Sequence, residues 1–97
     1  MSGFHHDLPT GFRDFLNKFM KKEIPNFVTI TNLHRRTDHI YGETKLFVEV
    51  CMNENYKSHE CDQFKILETL GKLSSLYGED STGLMVSVIQ TKKVFID

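Results

Sequence analysis

Seven side chains in this sequence could bind a metal ion or act as a nucleophile, and they are the five histidines and two cysteines. They are His5, His6, His34, His39, Cys51, His59 and Cys61. Structural zinc sites usually bring their ligands in close pairs such as CxxC or HxxxH. Here the nearest approach is His59-Glu60-Cys61, without a second pair of matching form. We therefore expect no metal site.

Cys61 has the strongest case for covalent catalysis, because it stands at the predicted start of a helix, where backbone N–H groups favour thiolate. Glu60 and Asp62 on either side oppose a second negative charge, and Phe64 one turn on indicates an apolar setting. These two effects predict a neutral, structural thiol that is alkylated slowly. The phosphate-binding patterns GxxxxGK[ST] and GxGxxG do not occur in the sequence. We predict that the protein is not an enzyme and that it uses no cofactor.

A second candidate site consists of basic side chains that could contact the phosphates of RNA. They come from the end of the first predicted helix and from the hairpin that follows the first predicted strand. They are Lys18, Lys21, Lys22, Arg35 and Arg36. Twelve Lys and Arg against thirteen Asp and Glu leave a formal charge of -1, which argues against a dedicated polyanion binder. An RNA contact requires the two basic segments to converge; otherwise they are two solvated stretches.

The elements that position these residues follow from hydrophobic periodicity. Between Pro9 and Glu23, apolar side chains recur at helical spacing, and Pro25 disfavours a continuation of the helix. The segments Phe27 to His34 and Thr44 to Met52 are rich in β-branched or alternating apolar residues. They are predicted to be two antiparallel strands joined by a long hairpin loop.

The second half of the chain predicts one more helix and one more strand. Ser58 is a suitable N-cap, and a broad apolar face extends from Phe64 to Gly78, which suits the C-terminal end. Leu84 to Ile96 is predicted as a single long strand. With 97 residues the chain forms one domain, residues 1–97, with a flexible N-terminus at 1–8. The order α-β-β-α-β predicts an α+β two-layer sandwich, its helices on one face of an antiparallel or mixed sheet.

Strand alternation divides the predicted sheet into two faces. The first face is aliphatic and suits cover by the helices; it comprises Val28, Ile30, Leu46, Val48, Val50, Leu84, Val86 and Val88. The second face carries large apolar side chains among polar ones; these are Phe27, Leu33, Phe47, Met85, Ile89 and Phe95. Monomers rarely leave such a patch uncovered, so either a partner or one helix of the chain covers it. We predict an interface with another protein or with a second copy.

Two known protein families have a similar order of elements. The hairpin VTITNLHRRTDHIYGETKLFVEV and the interrupted helix ETLGKLSSLYG before a last strand resemble ribosome-binding factor A, a KH-like RNA-contacting protein. The same order is similar to the small ring-forming tail-terminator proteins of bacteriophages. The first resemblance implies an RNA or ribosome contact, and the second a phage accessory protein that assembles into a ring. Both likenesses lie in element order alone, and we assign the chain to neither family.

The sequence also predicts where the protein acts. No apolar run approaches the roughly 20 residues that span a bilayer. The N-terminus MSGFHHDLPTG lacks the basic and apolar regions of a signal peptide. Two cysteines without a disulfide framework fit a reducing compartment. We therefore expect a soluble, cytoplasmic interaction or assembly module without a membrane partner, and an RNA-contacting module as the alternative.

Overall fold

The computed structural model describes residues 5–6, 8–37, 39–57 and 60–91, with the backbone alone at 5–6 and 60–61. Within these residues the chain forms helices α1 and α2 and strands β1 to β4. In chain order they are β1 (His5–His6), α1 (Phe12–Glu23), β2 (Phe27–Thr37), β3 (Thr44–Met52), α2 (Glu60–Tyr77) and β4 (Met85–Gln90). The α+β fold with the order α-β-β-α-β is confirmed, and the two-residue strand β1 precedes it.

The strands form one mixed sheet in the order β1-β2-β3-β4. The pairs β1/β2 and β2/β3 are antiparallel, as predicted for the hairpin, whereas β3 and β4 are parallel. A parallel neighbour requires a crossover connection, and α2 provides it. The sheet therefore has β4 at one edge, next to the helix that leads into it.

Helix α1 forms where apolar side chains recur at helical spacing, and it buries Phe12, Leu16 and Met20 completely. It ends at Glu23, as predicted, because Ile24 precedes a proline and adopts an extended backbone. Helix α2 ends at Tyr77, and Gly78 follows with a φ of 96°. This left-handed conformation favours glycine and stops the helix.

Strand β2 contains two irregularities that the sequence alternation does not predict. The register with β3 shifts between Phe27 and Thr29, and again between Ile30 and Asn32. Each shift inserts one residue, and an inserted residue moves the following side chains to the other face of the sheet. Phe27 and Ile30 are therefore both on the core side although they are three positions apart, an odd spacing that would place them on opposite faces of a regular strand.

The bulges correct the predicted face of three residues. Phe27 pairs with Met52 and Leu33 pairs with Val48, and both pack against the buried core. The prediction that Phe27 and Leu33 belong to the second face is wrong, because each is displaced from the simple alternation by one bulge. Val28, which we predicted on the core face, is 37% exposed.

The buried core joins the two helices to β2 and β3. Its members are Phe12, Leu16, Met20, Ile24, Ile30, Leu46, Val48, Val50, Met52, Tyr56, Ile66, Leu70 and Leu73. From β4, Val86 and Val88 pack against this core while remaining partly exposed. The placement of both helices on one face of the sheet stays a prediction.

The predicted last strand is shorter in the structure. Of the segment Leu84 to Ile96, β4 covers Met85–Gln90, and residues 92–97, with Phe95, lie outside the described residues. The predicted N-cap Ser58 also lies outside them. Among the helices of the described part, none is long and apolar enough to cross a membrane.

Candidate interaction surface at the edge of the sheet

The outer edge of β2 is covered by side chains of α1. The backbone N–H of Ile30 donates to Asn17 Oδ1 at 2.9 Å, and the carbonyl oxygen of Ile30 accepts from Arg13 Nη1 at 3.3 Å. Further along, β1 pairs with Arg35 and Arg36. An added strand would need these same backbone groups, so α1 and β1 block strand addition at both places.

The outer edge of β4 is different. In the part of the chain that the structure describes, no strand pairs with it. Its sequence MVSVIQ contains neither a charged residue nor a proline. Natural edge strands usually carry such residues, because they discourage pairing with another chain. The β4 edge therefore lacks the usual protection.

The direction of the backbone groups in β4 follows from its neighbour Thr91. The N–H of Thr91 donates to the carbonyl oxygen of Met52 in β3 at 2.9 Å. Since the hydrogen-bonding groups of successive residues in a strand point alternately to either side, Val86, Val88 and Gln90 present theirs to the outer edge. These are the groups that an additional strand would bind.

An apolar depression of about 500 Å³, here called the α2–β4 groove, lies between α2 and this strand. It is lined by Gln63, Phe64, Leu67, Leu84, Val86 and Val88. Phe64 is 64% exposed and Leu67 is 39% exposed. All six lining side chains are uncharged. The groove thus offers exposed aromatic and aliphatic surface directly beside the unpaired backbone.

The groove exists because the apolar face of α2 is broader than the core can cover. Ile66, Leu70 and Leu73 are buried, whereas Phe64 and Leu67 lie beside that stripe and remain exposed. In the sequence all of them belong to one broad apolar face. A helix that packs on one side buries only the middle of such a face, so the unusual width of the apolar stripe is the sequence signal that predicts exposed apolar residues at its margin.

The opposite side of β4 carries a smaller apolar patch, here called the Met85 patch: Phe47, Met85 and Ile89. Met85 is 50% exposed and Ile89 is 39% exposed. Phe47 lies beside Met85 in the β3–β4 register, and its ring stacks on His34 with centroids 5.0 Å apart. Three of the six predicted interface residues thus share one face.

The rest of that face is polar. Across β2 and β3, Asn32 pairs with Glu49 and Arg36 pairs with Lys45. Thr31 Oγ1 donates to Glu49 Oε1 at 2.8 Å. Exposed apolar surface on the sheet is therefore concentrated on the two sides of β4 and does not extend across the second face.

The structure separates the two arginines of the predicted phosphate site. Arg35 and Arg36 lie within β2 and not in the hairpin loop, so their side chains point to opposite faces. Arg35 Nη2 contacts Glu79 Oε2 at 2.8 Å, and both side chains are largely buried, at 15% and 19% exposure. Arg35 is therefore occupied by an internal ion pair.

The three lysines lie along the second half of α1: Lys21 and Lys22 are near the start of β2, and Lys18 follows Asn17, which contacts Ile30. Lys18, Lys21 and Lys22 are exposed on α1, and the amines of Lys18 and Lys22 lie 5.7 and 5.5 Å from the centre of the Phe19 ring. Helix α1 ends just before β2 begins, whereas Arg35 stands far along that strand. At about 3.3 Å per residue, Phe27 and Arg35 are roughly 26 Å apart along β2. Arg35 is therefore far from Lys21 and Lys22, and a phosphate site that joins both basic segments stays a prediction.

The histidines and cysteines considered as metal ligands or nucleophiles form no cluster within the described residues. No group of three or more His, Cys, Asp or Glu side chains there could hold a metal ion. Cys51 is a buried free thiol, and its Sγ lies 3.8 Å from the carbonyl oxygen of Met52. His59 and the side chain of Cys61 lie outside the described residues. A slowly alkylated Cys61 stays a prediction.

A smaller cavity of about 300 Å³ lies where the turn after α1 meets the start of α2. Its lining is mixed, with Tyr56, Lys57, Asp62 and Lys65 among apolar residues. The hydroxyl of Tyr56 is buried and has no hydrogen-bond partner among the described residues. This cavity lacks the unpaired strand edge that accompanies the α2–β4 groove.

Comparison of the chain with protein-family models, with curated proteins and with solved structures found no match. The resemblances to ribosome-binding factor A and to the tail-terminator proteins rest on element order. The function is therefore inferred from the surface around β4.

Proposed function

We propose that the protein is a non-enzymatic interaction module that binds another protein chain at the outer edge of β4. The observation that carries this proposal is an uncharged edge strand with no further strand beside it among the described residues and with exposed apolar surface on both sides. In strand addition, backbone hydrogen bonds supply affinity and neighbouring side-chain pockets supply specificity. The β4 edge provides the backbone groups for hydrogen bonds, and the α2–β4 groove provides a pocket for side chains.

The apolar side chains next to the edge supply the energetic reason for binding. Burial of a Leu, Ile, Phe or Met side chain stabilises by about 1.5–3 kcal/mol, and partly exposed ones gain a fraction of this. Phe64, Leu67, Met85 and Ile89 are each at least 39% exposed. An added strand would cover them together with the free backbone groups. The free energies of burial of these side chains, each modest, would then add up within one small area, and such clustering is typical of a specific interface.

The proposal moves the centre of the predicted interface. The strand alternation predicts an interface on the second face of the sheet, whereas the bulges in β2 remove Phe27 and Leu33 from that face. What remains there is the Met85 patch, which adjoins β4. The edge strand is therefore the feature that both apolar areas share.

Photocrosslinking in the cells that make the protein tests the proposal directly. A photoreactive phenylalanine analogue replaces Phe64 or Ile89, and a matched control replaces Tyr41, which is 77% exposed at the hairpin tip. We expect crosslinks to a protein chain from positions 64 and 89 and none from position 41. Equal labelling from all three positions, or none from 64 and 89, would contradict the proposed function.

A further inference from the structure

On the basis of the proposed function, we infer that the chain bound at β4 is a second copy of this protein, with the two β4 strands antiparallel about a twofold axis at Ser87. A twofold contact is self-complementary: each residue meets a residue that meets it in return. The strand has this property, because Met85-Val86-Ser87-Val88-Ile89 places Val and then a large apolar residue on either side of Ser87.

The backbone groups of β4 are compatible with this pairing. With Ser87 on the axis, Val86 lies opposite Val88 of the second copy. Both residues present their N–H and C=O groups to the outer edge, as the Thr91 hydrogen bond indicates. They can therefore exchange both N–H···O bonds of a hydrogen-bonded antiparallel pair. Ser87 then faces its own copy in a non-hydrogen-bonded pair, where Cα atoms are about 4.5 Å apart.

The side chains match on both faces of the joined sheet. Val86 and Val88 line the α2–β4 groove, so the two grooves adjoin across the axis, with Phe64 of each copy beside them. On the other face Met85 lies opposite Ile89 of the second copy. Among residues 85–89, each directly opposed pair other than Ser87 with its own copy is therefore apolar on apolar, which is the favourable arrangement for cross-strand neighbours.

Charge favours a second copy over a foreign chain. A charged side chain on a twofold axis meets its own copy, so an uncharged centre favours a homotypic contact. All groove residues and all β4 residues are uncharged. The uncharged surface therefore offers a foreign chain no charge complementarity, whereas it meets the requirement of a second copy.

The register is also specified. An axis at Val88 instead of Ser87 would place Val86 opposite Gln90. The side-chain amide of Gln90 already donates to the carbonyl oxygens of Asn53, Glu54 and Tyr56, at 3.1, 3.2 and 2.7 Å. That register would set Val86 against Gln90 and Ser87 against Ile89. The axis at Ser87 pairs like with like throughout residues 85–89 and places Gln90 only at the end of the strand, opposite Leu84, so it is preferred.

Disulfide trapping tests the axis. In a Cys61→Ser background, Ser87→Cys places two thiols at the non-hydrogen-bonded pair, within the Cα separation of about 4.4 to 6.8 Å that disulfides need. We expect mild oxidation to yield a covalent dimer of twice 11.3 kDa. Val88→Cys and the exposed Ser75→Cys are matched controls that should stay largely monomeric. If Val88→Cys or Ser75→Cys forms the covalent dimer as efficiently as Ser87→Cys, the proposed axis is wrong.

A charge exchange tests the register without oxidation, and sedimentation equilibrium provides the measurement. Met85→Lys with Ile89→Lys opposes like charges across the axis and should weaken the dimer at least about tenfold. Met85→Lys with Ile89→Glu opposes Lys to Glu and should restore dimerisation. Circular dichroism should show all variants folded, since both positions are exposed. Dimers unaffected by the two lysines would overturn the inference.

The two proposals fail in different ways. A wild-type chain that remains monomeric throughout the accessible concentration range would overturn the second-copy inference. If positions 64 and 89 then still crosslink to a different protein, the interaction module stands and its partner is foreign. Crosslinks whose mass equals two copies of this chain support both.

Discussion

Arg35 and Glu79 illustrate how the environment of one residue decides its role. Both belong to segments that look solvent-exposed in the sequence, and one was a predicted phosphate ligand. In the structure their charged atoms lie 2.8 Å apart and are mostly shielded from water. A charged group in such a position depends on its partner, because water no longer compensates for a lost contact.

Substitution of Glu79 by Gln should therefore be costly. It leaves the guanidinium of Arg35 without its carboxylate, and we expect the free energy of unfolding to fall by about 1–3 kcal/mol in urea denaturation. The matched control is Glu43→Gln, because the Glu43–Lys45 pair is longer, at 3.6 Å, and exposed. That control should change stability by less than about 0.5 kcal/mol. Equal effects of the two substitutions would contradict the importance of burial.

Asp80 provides a pH-dependent prediction. The backbone N–H of Thr82 donates to its Oδ1 at 2.9 Å and the Thr82 hydroxyl does so at 2.7 Å, and these bonds hold the pKa of Asp80 below its ordinary value. Because the folded pKa is lowered, the stabilisation is present above the ordinary pKa and is lost as pH falls through the folded one. Thr82→Ala should raise the pKa towards the ordinary value in a carboxyl NMR titration. An ordinary pKa of Asp80 in the unaltered protein would refute this.

The two edges of the sheet show how elements control assembly. At β2, α1 covers the backbone of Ile30, and β1 pairs with the strand near its end. Within the described residues, no strand pairs with the outer edge of β4. In this part of the chain, strand addition is therefore blocked at two places on β2, whereas no strand lies beside the outer edge of β4. The proposed twofold contact would occupy the β4 edge of both copies and give a closed dimer rather than a filament.

Asn17 is the residue on which the closed edge depends. Asn17→Ala removes the acceptor of the Ile30 N–H, and we expect a loss of about 1–2 kcal/mol in the free energy of unfolding. Asn17→Asp keeps an oxygen at the same place and should retain stability. Lys18→Ala, on the exposed neighbouring position, is the control for helix composition. Should Asn17→Asp prove as destabilising as Asn17→Ala, the hydrogen bond to Ile30 is not what Asn17 contributes.

The core and the Met85 patch can be separated by matched substitutions to serine. Val48 is fully buried, so Val48→Ser should destabilise by about 2–4 kcal/mol through lost packing and a buried hydroxyl. Phe47→Ser with Ile89→Ser alters partly exposed positions and should leave the domain folded and less associated. Thermal unfolding and light scattering measure the two effects. If the double variant melts as badly as Val48→Ser, the patch is part of the core.

At the level of the whole molecule, the proposed dimer makes the thermal stability of the protein depend on its own concentration. A second copy that binds only the folded chain stabilises it by mass action, so the melting temperature should rise across about a hundredfold range of protein concentration. The double-lysine variant at positions 85 and 89 should melt at a temperature independent of concentration. Scanning calorimetry measures both. A melting temperature of the unaltered protein that does not change with concentration would argue against the dimer.

The sequence by itself determined the elements and their order, because helix and strand periodicities arise from neighbours in the chain. Strand β3 is predicted from Thr44 to Met52 and occurs with those bounds. Helix α1 ends at Glu23 because Pro25 disfavours a helical backbone at Ile24. Only the tertiary structure decided which surfaces are free. The bulges of β2, the Arg35–Glu79 pair and the cover of Ile30 by Asn17 all join residues distant in sequence. Local periodicity contains no information on such contacts, and these contacts decide which side chains of β2 are buried and which of its backbone groups are covered.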